Sequence, residues 1–310
     1  MRILVAGNKG QLATDLKEAA VRLGMNVTAL GRPDLDLADR ISVDKAVLRV
    51  RPAIVINAAA YTEVDKAESE AALAMAINCD GAANLAAACA RAQIPLIHVS
   101  TDQVFGDGRA SPHRETDAPE PLSVYGESKL AGELAVAQVL PDHLIVRVSW
   151  VFGPSGSNFV KKVLSWAEAS LRTGQPLRVV ADQWGKPTYS PDLAVALLNM
   201  AVCRLATSEA ENTRGLFHLA GQSAMTRASQ AQMILDAARA RGFPKVTVTP
   251  VPTNEFSTPA RRPFNGMLDT NKASETFGVT LGTFEADLER LLDQLIGERG
   301  AHLTGKRAVG

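Results

Sequence analysis

The chain has 310 residues, of which 46% are hydrophobic and 21% charged, and a single core tends to divide into two domains near roughly 250–300 residues. Lysine plus arginine number 33, aspartate plus glutamate also number 33, and aromatic residues make up only 5%. Because there is no basic surplus to neutralise a phosphate backbone and few rings to stack on bases, this composition argues against a dedicated nucleic-acid-binding protein.

Strand-like and helical segments alternate through the first half of the chain. The predicted strands cover 2–6, 26–30, 53–57, 95–100 and 143–149, and the predicted helices cover 10–24, 41–50, 68–92 and 122–139. Continuous runs of β-branched residues bounded by turns suit the central strands of a parallel sheet that is covered on both faces. The alternation therefore predicts an α/β fold with a doubly wound parallel sheet of the Rossmann type.

After Trp150 the alternation becomes less regular. The predicted helices there cover 157–172, 190–206, 226–241 and 283–296, and short strands are predicted near 177–180, 215–219 and 246–250. We therefore predict a dinucleotide-binding domain over 1–150, to which later segments return. A smaller, interleaved α/β substrate domain is predicted over 151–297, and a frayed tail over 298–310.

The first predicted strand runs into a glycine-rich loop with the spacing Gly7-x-x-Gly10-x-x-Ala13. Gly7 permits a tight turn, Gly10 lets the backbone approach a pyrophosphate, and Ala13 allows close packing of the following helix on the strand. The helix N-terminus offers free N–H groups to the phosphates. Because this loop opens a complete series of βαβ units, we interpret it as a dinucleotide site.

The end of the second predicted strand distinguishes the two nicotinamide dinucleotides. An acidic residue there binds the ribose 2′-hydroxyl of NAD, whereas an arginine accommodates the 2′-phosphate of NADP. This strand ends in Ala29-Leu30-Gly31-Arg32, and the first acid is delayed to Asp34. Arg32 therefore favours NADPH over NADH, although a solvated loop residue is the alternative.

Tyr125 and Lys129 are four residues apart at the start of a predicted helix, which places both on one face. A neighbouring ammonium stabilises phenolate, so we expect a lowered pKa for Tyr125 and proton donation to a carbonyl oxygen. Thr101 lies where a predicted strand ends, at the sheet edge where open α/β sheets bind ligands. Its hydroxyl can orient the same carbonyl.

Taken together, these motifs resemble the extended short-chain dehydrogenase/reductase superfamily and, within it, the dTDP-4-dehydrorhamnose reductase family. The match runs in order along almost the whole chain. The segments that carry it are Gly10–Leu12, Asn57–Glu68, Ser100–Phe105, Val124–Glu133, Ser149–Phe152, Asp182–Thr188 and Thr258–Pro263. The resemblance implies NADPH-dependent reduction of the 4-keto group of dTDP-4-dehydro-β-L-rhamnose to dTDP-L-rhamnose.

By that resemblance Tyr125 donates the proton, Lys129 binds the nicotinamide ribose, and Thr101 holds the keto oxygen. The other implied cofactor contacts are Gly7, Gly10, Gln11, Leu12, Arg32, Asp36, Leu37, Ala58, Ala59 and Ala60. The other implied substrate contacts are Asp102, Gln103, Trp150, Arg261 and Arg262. Gln103 departs from the tyrosine that many members carry, so the contact near the sugar is less well defined.

Two adjacent arginines follow the last of these motifs. A dTDP-sugar carries a diphosphate, and a chain without net charge must meet it with local cations. Arg261 and Arg262 lie between Pro259 and Pro263, and planar guanidinium groups suit bidentate phosphate contacts. The alternative is a structural ion pair with the first domain.

Rival functions are an epimerase, a dehydratase or a non-catalytic regulatory subunit that binds NADP. Dehydratases of this superfamily carry Asp-Glu after the threonine, whereas here Gln103 follows Asp102, and an amide cannot shuttle protons. An epimerase is not excluded chemically. Intact Thr101, Tyr125 and Lys129 favour an enzyme over a regulatory subunit, although motifs alone do not prove turnover.

The remaining features concern the setting of the protein. The apolar run at the N-terminus stops at Gly7, and no stretch approaches the ~18 apolar residues of a membrane helix. Cys79, Cys89 and Cys203 lie far apart without a CxxC motif, so we expect buried, reduced thiols and no cysteine-based metal site. We predict a cytoplasmic protein, monomeric or homodimeric, with no membrane or nucleic-acid partner. Some members of the family form metal-linked dimers, but we assign no metal ligands here.

Overall fold

The computed structural model describes residues 1–207 and 210–304. The strands are β1 (Arg2–Ala6), β2 (Asn26–Leu30), β3 (Ile54–Asn57), β4 (Leu96–Thr101), β5 (His143–Val148), β6 (Val151–Phe152), β7 (Leu177–Val180), β8 (Trp184–Gly185), β9 (Thr188–Tyr189), β10 (Gly215–Leu219), β11 (Met225–Thr226), β12 (Val248–Val251) and β13 (Asn265–Gly266). The helices are α1 (Gln11–Arg22), α2 (Arg40–Val50), α3 (Val64–Ala67), α4 (Ala71–Met75), α5 (Gly81–Ala92), α6 (Val124–Val139), α7 (Phe159–Thr173), α8 (Ser190–Ala206), α9 (Arg227–Ala240), α10 (Asn271–Phe277) and α11 (Phe284–Thr304).

Six strands form one parallel sheet in the order β2-β1-β3-β4-β5-β10. The direction of winding reverses between β1 and β3, because β2 lies on one side of β1 and all later strands lie on the other. Open α/β sheets bind ligands beyond the carboxyl ends of the strands at such a switch point. The predicted doubly wound fold is confirmed, and the switch point lies beside Gly7 and Asn57.

The strand β1 shows why the central strands are apolar throughout. Ile3 and Val5 face one layer of the core, which contains residues of α1 and α8, and Leu4 and Ala6 face the opposite layer, which contains residues of α2 and α5. All four side chains are fully buried. A strand covered on both faces has no position at which a polar side chain could reach water.

A second hydrophobic core lies in the later part of the chain. It packs residues of α7, α9 and α11 against the two-stranded pair β7 and β12. Phe152 lies at its centre, with ring centroids 5.2 Å from Phe284 and 5.4 Å from Tyr189. The elements after Phe152 divide between the two cores: β10 joins the large sheet beside β5, and α8 packs on α1.

Some predicted segments differ from the structure. The alanine-rich segment 68–92 was predicted as one helix, but a π-helical turn at Ala76–Asp80 separates α4 from α5. That turn carries the buried Asn78, which accepts a hydrogen bond from the Tyr61 N–H (2.8 Å) and donates one to Ser128 Oγ (2.9 Å). Hydrogen-bond partners that are distant in the sequence thus stabilise the π-helical turn. The short helices α3 and α10 were not predicted.

Two further helices bear on the predictions for the membrane and for the tail. The helical stretch Ala71–Ala92 is long and apolar enough to span a membrane by length and composition, but 44% of its most apolar window is buried inside the protein. A buried core helix passes the same test.

The last helix, α11, continues to Thr304, past the predicted end at 296. The predicted tail is thus partly helical, and 305–310 lie outside the described residues.

Helix α6 is held against the sheet by a buried ion pair. Glu133 on α6 accepts hydrogen bonds from Arg147 Nε (2.9 Å) and Nη2 (2.6 Å) on β5, and from Ser100 Oγ on β4. Two glycines bring α6 close to its neighbours, since a Cβ at Gly126 or Gly132 would overlap a backbone carbonyl oxygen. This arrangement fixes the position of α6 relative to the carboxyl end of β4.

We expect Glu133→Ala to lower the free energy of unfolding by about 3–5 kcal/mol, because it leaves the Arg147 guanidinium buried without its carboxylate. Urea unfolding measures this loss. The matched control is Glu255→Ala, which removes an exposed partner of Arg178 and should cost less than about 1 kcal/mol. Equal losses for the two variants would show that the buried pair does not anchor α6.

Candidate active site

The loop after β1 has the backbone geometry of a phosphate cradle. Gly7 has a φ of +116°, and a Cβ there would lie 3.4 Å from Ala13 Cβ and from the backbone of Ala58 and Ala59. Gly10 precedes α1 without a side-chain cap, and a Cβ at Gly10 would meet nothing within 4 Å. The first N–H groups of α1 therefore have no side-chain cap, and an uncapped helix N-terminus suits an anion.

Gln11 and Leu12 follow this cradle and have structural contacts of their own. Gln11 Oε1 accepts a hydrogen bond from Asn158 Nδ2 (3.1 Å), and the same amide donates to Gly153 O (2.7 Å). Gln11 thus ties α1 to the segment that leads into α7. Leu12 is half-buried and packs on the core of the sheet.

The residues predicted near the adenosine end follow β2. Arg32 is exposed, and it makes no ion pair within the described part of the chain, so its guanidinium is available to a phosphate. Asp36 Oδ1 accepts a hydrogen bond from the Ala38 N–H (3.1 Å), and its own N–H donates to Ser42 Oγ (3.0 Å). Leu37 is buried. All three residues follow β2 along the chain.

Ala58, Ala59 and Ala60 follow β3 on the other side of the switch point, and all three are half-buried. The Ala58 N–H donates to Ala6 O (3.0 Å), and the Ala59 N–H donates to Asn57 Oδ1 (3.2 Å). Small side chains at these positions leave space above the carboxyl ends of β1 and β3.

Tyr125 and Lys129 lie one turn apart on α6 and face the carboxyl end of β4. Both are buried, with exposed fractions of 8% and 2%. The Lys129 ammonium donates to Val99 O (2.8 Å), and the Thr101 hydroxyl lies close enough to the phenol of Tyr125 to act on its pKa. The structure thus brings together the three residues that the sequence predicts for proton transfer.

The pKa of Tyr125 differs from the one that the sequence predicts. Burial raises the pKa of Tyr125 to about 12, the Thr101 hydroxyl opposes that shift, and the Asp102 charge adds to it. The expected lowering of the Tyr125 pKa by Lys129 is therefore wrong, because desolvation of the phenolate is the larger effect. Burial also lowers the pKa of Lys129 to about 8. At neutral pH Tyr125 is protonated and can donate.

His98 was not predicted as a site residue, but it contacts Lys129. Because Asn57 Oδ1 accepts the Ala59 N–H, its Nδ2 faces His98 Nδ1 (3.1 Å) and donates to it. The His98 proton then lies on Nε2, which is 3.5 Å from Lys129 Nζ. The signal available in the sequence was a pair of polar residues, His98 and Ser100, at alternate positions of an apolar strand.

Asp102 and Gln103 extend the site beyond Thr101. Asp102 accepts hydrogen bonds from Thr101 Oγ1 (3.0 Å) and Ser149 Oγ (2.9 Å), while Ser149 Oγ also lies 3.0 Å from Gly266 O. The single hydroxyl proton of Ser149 can serve only one of these two acceptors at a time. Gln103 Oε1 is buried and finds no partner among the described residues.

Trp150 lies directly after β5 in an unusual backbone conformation, with a φ of +45°. Its indole packs flat on Gly185, where any Cβ would overlap the ring. A positive φ is costly for a bulky residue. The surrounding structure therefore holds this ring in place beside Ser149 and Asp102.

Arg261 and Arg262 both form ion pairs with the first part of the chain. Arg262 makes a bidentate contact with Asp65, through Nη1 (3.0 Å) and Nη2 (2.7 Å), and Arg261 Nη2 donates to Asp107 Oδ2 (2.6 Å). The Arg262 guanidinium lowers the pKa of Asp65. The alternative of a structural ion pair is thus realised for both, and their role toward a phosphate stays a prediction.

Neither a disulfide nor a metal cluster is found in the described residues. Cys79, Cys89 and Cys203 are free thiols, and Cys89 is buried. No group of three or more histidine, cysteine, aspartate or glutamate side chains within 1–207 and 210–304 is arranged to hold a metal ion.

Comparison with known proteins gives one consistent family. The model of the RmlD substrate binding domain matches residues 1–296. The dTDP-4-dehydrorhamnose reductase of Sinorhizobium fredii is 42% identical over 298 residues, which cover 96% of this chain and 99% of that protein. The crystal structure of a dTDP-4-dehydrorhamnose reductase from Clostridium acetobutylicum is similar with a TM-score of 0.86 and 33% identity, over 95% of this chain and 99% of that one. The dTDP-4-dehydrorhamnose reductase of Bacillus anthracis, crystallised in complex with NADP, has a TM-score of 0.85 and 33% identity, over 94% and 99%.

The site predicts a pH dependence of stability. Burial raises the pKa of Asp102 from 3.8 to about 6, so between these values the folded state binds more protons than the unfolded state. The contribution of Asp102 to stability therefore falls as the pH rises through this window. We expect Asp102→Asn, which cannot titrate, to gain up to about 3 kcal/mol relative to wild type between pH 4 and pH 7.

Urea unfolding at several pH values across this window measures the difference. Asp80→Asn, which removes an exposed carboxylate, is the control and should follow wild type. The same pH dependence in wild type and Asp102→Asn would contradict the assignment of the raised pKa to Asp102.

Proposed function

Because this chain belongs to the family of the RmlD substrate binding domain, we propose that it reduces the 4-keto group of dTDP-4-dehydro-β-L-rhamnose with NADPH. The product is then dTDP-L-rhamnose. The observation that carries the proposal is the grouping of Thr101, Tyr125 and Lys129 at the carboxyl end of β4, next to the phosphate cradle after β1.

The residues around the switch point fit a nicotinamide dinucleotide. Open space beyond Gly10 and the uncapped start of α1 suit the pyrophosphate. Arg32, free of any ion pair within the described residues, would bind the 2′-phosphate, and Asp36 and Leu37 would border the adenine. Ala58 to Ala60 would line the nicotinamide. When bound, NADPH supplies the hydride for C4 of the sugar.

The chain's own residues supply the proton and hold the reacting oxygen. In the free protein the Thr101 hydroxyl donates to Asp102 (3.0 Å). When the substrate binds, this hydroxyl would turn from Asp102 and donate, together with the Tyr125 hydroxyl, to the keto oxygen, and Tyr125 would transfer its proton as that oxygen becomes an alkoxide. A phenol with a pKa near 12 is a matched donor for a strongly basic alkoxide. Lys129 uses one N–H for Val99 O and keeps two for the ribose hydroxyls, and its charge stabilises the phenolate that remains.

Gln103, Trp150 and the two arginines near 261 are proposed to border the substrate. The unpartnered Gln103 Oε1 offers an acceptor to a sugar hydroxyl. Gly185 and Arg227 cover the faces of the Trp150 indole, and the edge of the indole would border the sugar ring. Arg261 and Arg262 position the segment between Pro259 and Pro263 over the crevice through Asp107 and Asp65.

The rival functions account for fewer of these observations. A dehydratase needs a second carboxylic acid after Asp102, and Gln103 cannot serve as one. A regulatory subunit has no need for a buried tyrosine that faces Thr101 and lies one turn from a buried lysine. We further propose a cytoplasmic setting, in which three free thiols stay reduced, and a monomer or homodimer.

Removal of the proton donor tests the proposed reaction. We expect Tyr125→Phe to lower kcat about 10²–10⁴-fold and to leave the Kd for NADPH unchanged, because the phenol acts on the substrate oxygen. Steady-state oxidation of NADPH in the presence of the dTDP-keto sugar measures kcat. Tyr189→Phe, a buried tyrosine of the second core, is the control and should keep full activity. Near-normal turnover by Tyr125→Phe would rule out this proton donor.

A second variant tests the choice of dinucleotide. We expect Arg32→Ala to weaken NADPH binding by about 1.5–3 kcal/mol, the worth of a charge-assisted hydrogen bond, and to leave NADH binding unchanged. Titration of each dinucleotide by calorimetry gives both affinities. Equal losses for NADPH and NADH would show that Arg32 does not read the 2′-phosphate.

A further inference from the structure

Arg227, the first residue of α9, lies within a stack of aromatic rings. Its Cζ is 3.4 Å from the ring centroid of Trp150 and 4.6 Å from that of Phe159. The other face of the Trp150 indole packs on Gly185. Nη1 donates to Gln230 Oε1 (3.0 Å), and this is the one side-chain hydrogen bond of Arg227 within the described residues. The plane and position of the guanidinium are therefore fixed by neighbours.

Arg227 differs from the other arginines of this region in having no carboxylate partner. Arg147, Arg261 and Arg262 each pair with an aspartate or glutamate, whereas no acidic side chain of the described residues lies within ion-pair distance of Arg227. Half-burial of a cation without a counter-ion is unfavourable. Stacking on tryptophan offsets part of this cost, and a bound anion would offset the rest.

The charge of Arg227 lies beside the proposed reaction centre. Asp102 and Arg262 both act on it electrostatically, and burial lowers its pKa to about 9, which leaves the group charged at neutral pH. Asp102 is joined to Thr101 and to Ser149, the residue before Trp150. The guanidinium therefore lies beside Trp150 at the carboxyl end of β5, near Asp102 and the crevice that Thr101 and Tyr125 face.

We propose that Arg227 binds the diphosphate of the nucleotide sugar, an inference that rests on the function proposed above. In a pyranose, C1 lies across the ring from C4, so a sugar with its 4-keto oxygen at Thr101 points its phosphate away from β4. The stacked guanidinium offers several N–H groups in a fixed plane to that phosphate, and planar forks of this kind make bidentate phosphate contacts.

Binding of dTDP, compared with binding of thymidine, isolates this contact, because the two probes differ in the diphosphate alone. Calorimetry on the full chain with saturating NADP+ gives both affinities and does not depend on turnover. We expect Arg227→Gln to weaken dTDP binding roughly 10–100-fold, as for loss of a charge-assisted hydrogen bond, and to leave thymidine binding unchanged. Arg239→Gln, which removes an exposed arginine near the other end of α9, about 18 Å away at 1.5 Å per residue, should match wild type for both probes.

Arg227→Lys provides a second variant in case Arg227→Gln does not fold. It keeps the charge but loses the planar fork, and we expect a loss of dTDP affinity between those of wild type and Arg227→Gln. An equal loss for thymidine and dTDP, or no loss for either, would overturn the proposal. A matching loss of NADPH affinity would overturn it too, since Arg227 would then serve the cofactor. Selective loss of dTDP affinity in a protein that fails to reduce the keto sugar would support the phosphate contact and reject the proposed reaction.

Discussion

The site depends on two polar residues of β4 that face two polar residues of α6 inside the protein. His98 Nε2 lies 3.5 Å from Lys129 Nζ, and the Lys129 ammonium donates to the neighbouring Val99 O of β4. Ser100 donates to Glu133, which in turn binds Arg147. An ammonium and a carboxylate are both expensive to bury, so each must meet its partner with good geometry. These pairings fix the rotation of α6, and Tyr125, one turn before Lys129, therefore faces the carboxyl end of β4.

The chain has no net charge, so a charged group is balanced by nearby groups of opposite sign and not by the field of the whole protein. Most arginines near the crevice are already paired with carboxylates of the opposite wall, and these pairs hold the two parts of the chain together. Among the arginines near the crevice, Arg32 after β2 and Arg227 at the start of α9 form no ion pair within residues 1–207 and 210–304. Their positions match the two places where a bound dinucleotide and a nucleotide sugar would each present a phosphate.

Much of the fold could be read from the sequence because the signals are local. The apolar strands, the helices between them and the turn at Gly7 each depend on a few adjacent residues. The place of β10 beside β5 could not be predicted, since sheet order depends on contacts between distant segments. The π-helical turn at Ala76–Asp80 could not be predicted either, because Asn78 hydrogen-bonds with Tyr61 and Ser128, which are distant in the sequence.

The candidate site, like the fold, could be predicted only where it depends on local spacing. The spacing of Tyr125 and Lys129 and the position of Thr101 follow from helix and strand geometry. The raised pKa of Tyr125 does not, because it depends on burial by side chains from elsewhere in the chain. The stack of Trp150 on Gly185 and Arg227 likewise joins residues from three separate segments.

Transfer of deuterium from the cofactor to the sugar tests the central claim, which is reduction at C4. The wild-type protein is incubated with dTDP-4-dehydro-β-L-rhamnose and NADPH deuterated at both C4 positions of the nicotinamide, and the product is examined by NMR and mass spectrometry. The account predicts one deuterium at C4 of the sugar for each NADPH oxidised, and none at the neighbouring carbons. A product with deuterium elsewhere in the ring, or a sugar that leaves NADPH unoxidised, would contradict it.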